Sequence, residues 1–279
     1  MNGTANTNGN HAALNKTFET LARLGYAARG MIYFVIGLLA VLMALGYGGK
    51  ATDQQGAISM IGTQPAGRTL LWLVLIGLVC YSLWGVIRAI SNPFHQGHDA
   101  KGLALRFGYL VSAAAYALLI MPTYALISGG AQPAQNGVQQ GQFQQYTAKI
   151  LGMPFGQGLV GIIGIIVILV GLVQVFQGFR SGFDRQIYLT KLNPAQLKRV
   201  RFLGRFGTIA RGIVFALIGL FLVKAAYTAN SQQVKGFDST LTTILQQPYG
   251  RWLMGVIALG LVSLGLYSLC LAILFRLKK

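Results

Sequence analysis

The chain has 279 residues, 54% of them hydrophobic and only 10% charged, with a mean hydropathy of +0.56. A water-soluble domain carries about 25% charged residues, so a soluble fold is excluded and a membrane protein is predicted. The 23 Lys and Arg against 5 Asp and Glu give a formal charge of +18, which in a soluble protein would point to nucleic acid; beside membrane spans, anionic headgroups and the cytoplasmic bias of basic residues account for it, and no nucleic-acid partner is expected.

A bilayer core of roughly 30 Å requires about 20 mostly apolar helical residues. Six stretches qualify, at 27–45, 70–90, 107–127, 159–179, 209–227 and 252–275. The first is too long an apolar run for a cleavable signal peptide and is read as a retained span. Of the 23 basic residues, 17 fall in the N-terminal arm, the second and fourth connections and the C-terminus. This asymmetry predicts a bacterial inner-membrane protein with both termini cytoplasmic. Cys80 and Cys270 each lie inside an apolar span, where they read as small packed hydrophobes rather than a disulfide or metal pair.

The chain also repeats itself. Arg23-Leu24-Gly25-Tyr26, Arg106-Phe107-Gly108-Tyr109 and Arg205-Phe206-Gly207-Thr208 precede the first, third and fifth spans. Arg23, Gly25, Arg29, Gly30 and Gly37 match Arg205, Gly207, Arg211, Gly212 and Gly219 in register, whereas the middle copy has Ser112 and Ala113 where the second Arg-Gly would fall. The even spans open with Pro65-Ala66-Gly67, Pro154-Phe155-Gly156 and Pro248-Tyr249-Gly250. Proline fixes φ and disfavours the α region in the residue before it, so each Pro-x-Gly predicts a helix boundary at the outer surface. Between the paired spans, Ala57, Ile58 and Ile61, then Ala148, Ile150 and Leu151, then Leu241, Ile244 and Leu245 predict three short interfacial helices.

The predicted fold is an all-α integral membrane protein of six transmembrane helices, arranged as three tandem two-helix repeats about a pseudo-threefold axis. The divisions are an N-terminal arm at 1–22 and repeats at 23–92, 93–185 and 186–279. The Arg-x-Gly-x-x-x-Arg-Gly pattern before a span, paired with a second span and given in triplicate, resembles the bacterial membrane family of domain of unknown function 1206. The resemblance runs from Arg23 to Phe275 and implies a multi-pass bacterial membrane protein, with no established activity or catalytic residues.

Every acidic residue, Glu19, Asp53, Asp99, Asp184 and Asp238, lies outside the spans, which disfavours proton- or sodium-coupled transport. Thirteen steps separate Arg211 from Lys224, roughly 20 Å of helix against a core of ~30 Å. Arg211, and by repeat symmetry Arg29, are therefore expected inside the apolar boundary. One reading makes Arg23, Arg106 and Arg205 a cytoplasmic ring with Arg29 and Arg211 one layer deeper, facing an anionic solute or lipid headgroup, which guanidinium grips bidentately. The other has all five snorkel to lipid phosphates or cap carbonyls of the preceding loop.

Glycine supplies 37 residues. The seven-residue spacings of Gly30 and Gly37, Gly164 and Gly171, and Gly212 and Gly219 set them on helix faces suited to close packing in lipid. His95, His98 and Asp99 have a spacing open to a metal but read as a solvated turn, so neither metal nor cofactor is expected. No familiar catalytic constellation or nucleotide fingerprint is present, and an enzyme is not expected. Asn193-Pro194 opens a predicted amphipathic helix on the cytoplasmic leaflet, with partner docking as the alternative. The Gln-rich stretch at 132–145 is expected to be a flexible loop. Few polar residues fall within the spans, Ser82, Ser112, Thr123 and Gln174 among them.

Two functions follow. The first is passive permeation or carriage of a small or anionic solute; the second is a structural, lipid-binding or accessory subunit. The expected partners are the phospholipid bilayer, anionic headgroups at the cytoplasmic face, and another membrane protein or a second copy of the chain.

Overall fold

The computed structural model describes residues 4–47, 51–93, 97, 99–130, 138–180 and 193–275. The described residues form ten α-helices, α1 (Thr4–Leu45), α2 (Gln54–Gly62), α3 (Gly67–Ile90), α4 (Ala100–Ala117), α5 (Ile120–Ser128), α6 (Val138–Leu151), α7 (Gly156–Phe179), α8 (Pro194–Tyr227), α9 (Phe237–Leu245) and α10 (Gly250–Leu274). Six segments are long and apolar enough to cross a membrane, namely Lys16–Leu45, Gly67–Ile90, Leu105–Ser128, Gly156–Phe179, Pro194–Tyr227 and Gly250–Leu274.

The Pro-x-Gly boundaries recur in all three copies. Ala66, Phe155 and Tyr249 adopt the left-handed region with φ of 62°, 63° and 59°. The glycine that follows starts the span, and its N–H donates back to Gln64, Met153 or Gln247 at 2.7, 2.9 or 2.8 Å. A Cβ on Gly67 or Gly250 would strike the last turn of α2 or α9, at the carbonyl of Gly62 or Leu245. That clash explains why the third position of the turn is glycine although the strained φ belongs to the second.

Four features differ from the sequence-based expectation. The third span is broken at Leu118–Leu119, because Pro122 cannot donate to Leu118 and its ring crowds that carbonyl; the Thr123 hydroxyl donates to the Leu119 carbonyl at 2.6 Å. The basic segment after Asn193 is not a separate surface helix but the first turns of α8, which runs unbroken into the fifth span. The N-terminal arm likewise continues the first span as α1. The Gln-rich stretch turns helical at Val138, and Gln140 donates to the Val234 carbonyl at 2.5 Å and accepts from the Gly236 N–H at 2.6 Å, tying α6 to the third repeat.

The order of the spans around the bundle follows the repeats. α7 lies on α8, α8 on α10, α10 on α1, α1 on α3 and α3 on α4. Glycines set the close approaches. A Cβ on Gly171 would stand 2.6 Å from both the Ala216 nitrogen and the Gly212 carbonyl, and one on Gly265 would stand 2.6 Å from the Phe34 nitrogen. Within the first repeat a Cβ on Gly25 would stand 2.7 Å from the Cα of Tyr81, and within the third one on Gly207 would stand 2.6 Å from the Cα of Leu264.

The second repeat lacks this internal contact. A Cβ on Gly108 would meet no neighbouring element within 4 Å, and neither α4 nor α5 packs closely against α7. Repeat alignment supplies the cause. Gly77 lies against Ala28 in copy one and Gly260 against Ala210 in copy three, whereas the equivalent pair in copy two is Ile166 and Val111. Two β-branched side chains replace the small ones that let backbones meet in lipid. The six spans therefore form a threefold-like ring with a seam between the third and fourth.

Two predictions follow from these contacts. Gly171→Leu forces α7 off α8 and lowers stability by about 1–3 kcal/mol, the usual cost of overpacking, whereas Gly108→Ala is neutral; thermal unfolding in detergent compares them. Asp53 caps α2 by accepting from the Gly56 N–H at 2.8 Å, yet burial, and then Asp238, raise its carboxyl above the usual range. A raised folded pKa means the native state binds the proton more tightly, so stability is lost as pH rises through that value. Asn caps a helix as well as Asp does, so Asp53→Asn removes that loss and stabilises the protein more at pH 8 than at pH 5.

Candidate functional site

The five arginines singled out by the repeat separate into two groups. Arg23 donates through Nε to the Phe275 carbonyl at 3.1 Å and through Nη2 to Ile273 at 2.9 Å. Arg106 likewise donates twice to a helix end, through Nε to the Ala89 carbonyl at 2.6 Å and through Nη2 to Ile90 at 3.2 Å. Each thus satisfies the orphan carbonyls ending the last span of the preceding unit, α10 or α3, and places a cation at the negative end of a helix dipole. Arg205 stands at the equivalent place beside α7, its carbonyl 3.1 Å from a Cβ built on Gly178.

Arg29 and Arg211 turn the other way, into the bundle. Six residues beyond Arg23 and Arg205, they lie about 9 Å further along the helices. Arg29 donates through Nη1 to the Tyr81 hydroxyl at 3.1 Å. Its guanidinium carbon lies 5.7 Å from the Tyr33 ring and 5.8 Å from the Tyr81 ring. Arg211 stands 5.5 Å from the same Tyr33 ring and 5.0 Å from Phe215. The two cations of copies one and three therefore share an aromatic ring across the bundle.

A third cation joins them. Arg88, in the last turn of α3, is 92% buried, 4.4 Å from the Tyr109 ring and 5.8 Å from the Tyr81 ring. Sequence reasoning missed it by counting it among the charges of the second connection. The signal was available, because Tyr81, Trp84 and Arg88 stand at i, i+3 and i+7 and share one helical face. Tyr116 completes the group, with its ring 4.4 Å from that of Tyr81.

The repeat register shows how the cluster is built. Arg29, Ser112 and Arg211 occupy one position of the unit, and Tyr33, Tyr116 and Phe215 the position one turn on. Every copy thus contributes an aromatic ring beneath the arginine layer, and copy two contributes no arginine. One further turn along, the equivalent residues are Ile36, Leu119 and Ile218, of which Ile36 and Leu119 are buried. The polar layer ends there.

The electrostatics are one-sided. Among the described residues, the ionisable groups acting most strongly on Arg29 are the phenols of Tyr81, Tyr116, Tyr33 and Tyr26, and those acting on Arg88 are Tyr26, Tyr81 and Tyr109. No carboxylate appears among them. The Nε atoms of Arg29, Arg88 and Arg211 and the hydroxyl of Tyr116 are buried with no hydrogen-bond partner among the described residues. Cation–π contacts offset part of the desolvation of a guanidinium but leave these N–H groups unbonded. The chemistry on offer is recognition of an anion by several planar donors and phenol O–H groups.

Of the remaining candidates, His95 and His98 lie outside the described residues, and Asp99 caps α4 by accepting from the Gly102 N–H at 3.1 Å. No group of three or more metal-ligating side chains occurs among the described residues.

Comparison with known proteins agrees with the repeat. The chain is 35% identical over 242 residues, covering 87% of this chain and 86% of the relative, to the uncharacterized protein YxxB of Bacillus subtilis (strain 168). No solved structure matches it. The family described as Domain of Unknown Function (DUF1206) matches three times, over residues 24–92, 107–181 and 206–274. Each match opens one residue after the first arginine of its unit, Arg23, Arg106 or Arg205, and the chain belongs to the DUF1206 family as three tandem copies of that unit.

Proposed function

We propose that this chain is a non-enzymatic protein of the bacterial inner membrane, with both termini cytoplasmic, that binds an anionic group on Arg29, Arg88 and Arg211. One observation carries the reading: three guanidinium groups converge among phenols, each with its Nε buried and unbonded. Charge within a membrane span is costly, and several like charges in one place repel as well. A bound phosphate or carboxylate offsets both costs and takes up the orphan donors. The concentration of basic residues on the terminal side supports the orientation.

Between the two functions expected from the sequence, the layer of Ile36, Leu119 and Ile218 favours binding over open permeation. A polar path does not continue beyond Tyr33 and Tyr116, so an anion entering from the terminal side meets apolar side chains. The protein then acts as a lipid-binding or accessory subunit, or as a carrier that must rearrange in order to pass its cargo.

The test exploits a sign difference. Arg211→Gln and Arg29→Gln remove a charge that has no carboxylate partner, so stability without added anion stays equal or rises. Binding of the anion, worth about 1.5–3 kcal/mol per charged hydrogen bond, falls by tenfold or more. Thermal unfolding with and without inorganic phosphate, together with native mass spectrometry, reads both. Variants that insert and fold normally yet hold phosphate as the parent does overturn the proposal.

A further inference from the structure

The arginine cluster is flanked by the seam. α4 carries Tyr109 and Tyr116 on one side of it and α8 carries Arg211 and Phe215 on the other, yet α4 packs against neither α7 nor α8. Arg88 is buried, but Arg29 and Arg211 retain partial exposure, as expected of groups beside a gap in the ring. At the positions that close the first and third repeats, Tyr81 is 3% and Leu264 1% exposed. Their equivalent in the second repeat, Val170, is 42% exposed, and Val111 and Ile166 are 49% and 47% exposed. The residues exposed along the unpacked faces of α4 and α7 are thus apolar.

We infer that this seam between the third and fourth spans is the entry for an anionic glycerophospholipid, whose acyl chains lie along Val111, Ile166 and Val170 while its phosphate reaches Arg29 and Arg211. The inference rests on the anion-binding reading above and names the ligand of that site. Two properties that a free anion would not require are met together. The access is hydrocarbon-lined, matching acyl chains, and it leads to uncompensated cations, matching the headgroup. The depth fits a headgroup drawn partly inward: the cluster lies about one and a half turns, roughly 9 Å, inside the helix ends that Arg23 and Arg106 cap.

The degeneration of the second repeat gains a reason from this placement. Gly→Ile at 166 and Ala→Val at 111, relative to the other copies, hold the seam apart. Ser112 in place of the second arginine keeps a fourth deep cation out of its wall. A strictly threefold protein would close the ring and bury all its deep arginines behind helices.

The experiment uses the purified full chain in neutral detergent, with phosphatidylglycerol, phosphatidylcholine and inorganic phosphate as probes, read by native mass spectrometry and thermal unfolding. The parent protein retains phosphatidylglycerol over phosphatidylcholine, and inorganic phosphate competes for the site. Val170→Trp fills the seam, and Val111→Ala with Ile166→Gly lets it close as in the other repeats. Both lose phosphatidylglycerol tenfold or more while still binding inorganic phosphate, which reports that the fold and cluster are intact. Undiminished phosphatidylglycerol binding in both seam variants overturns lateral entry. Phosphate binding by a parent that takes no phosphatidylglycerol overturns the lipid assignment and leaves the anion site standing. If neither probe binds the parent, the anion-binding reading fails and this inference fails with it.

Discussion

Backbone approach between helices is the constraint on which the rest of this structure depends. In water, apolar faces associate because leaving water is favourable. In lipid that drive is absent, and helices hold together where small residues let their backbones pack closely. The chain meets this with glycine at each tight crossing, as where a Cβ on Gly219 would lie 2.7 Å from the Gly164 carbonyl and one on Gly37 would lie 2.5 Å from the Val262 nitrogen. Where the sequence withdraws the small residues, the contact is withdrawn too, and nothing else in the apolar surfaces of α4 and α7 restores it.

The arginines obey a related logic of unsatisfied groups. A helix ends with four carbonyls that lack intrahelical partners, and at the membrane boundary these need donors. Arg23 and Arg106 supply them from the neighbouring repeat, so the cation that neutralises one unit's helix end is carried by the next. Such a contact fixes the register between repeats while consuming the donors that make it. Arg29, Arg88 and Arg211 each keep a buried Nε without a partner among the described residues, and this separates them from the arginines spent on helix ends.

Much of this was legible in the sequence, and what was missed has a common cause. The spans, the tandem repeat and the three Pro-x-Gly boundaries follow from local composition and spacing. The alternative that arginines cap neighbouring carbonyls was open as well, but sequence alone could not choose it for Arg23 and Arg106 and refuse it for Arg29, because the acceptors are supplied by other helices. Arg88 was lost to a charge count that treated the end of a span as a loop. The Gln-rich stretch read as loop by composition, and Gln140 becomes ordered through two backbone groups of the third repeat, Val234 and Gly236, almost a hundred residues away. Pro122 was visible, yet its effect on the third span depends on whether neighbours restore the freed carbonyl, and here the Thr123 hydroxyl and the Leu119 carbonyl mark the restart.

The two departures of the middle repeat belong together physically. Had copy two kept Arg at 112, a third symmetric guanidinium would stand beside Arg29, Arg88 and Arg211, and the repulsion among them would grow without any carboxylate to offset it. Had it kept Gly at 166 and Ala at 111, α4 and α7 would meet and shut off the cluster from the bilayer. Losing one arginine lowers the charge that must be compensated, and losing the small crossing leaves open the lateral route proposed above for a compensating anion. Neither change alone relieves the cost of buried cations; an open seam with four arginines leaves still more charge than one phosphodiester offsets, and a closed ring with three leaves them without a lateral source. The asymmetry of the ring is thus the feature that makes an otherwise unfavourable set of charges tolerable inside the membrane.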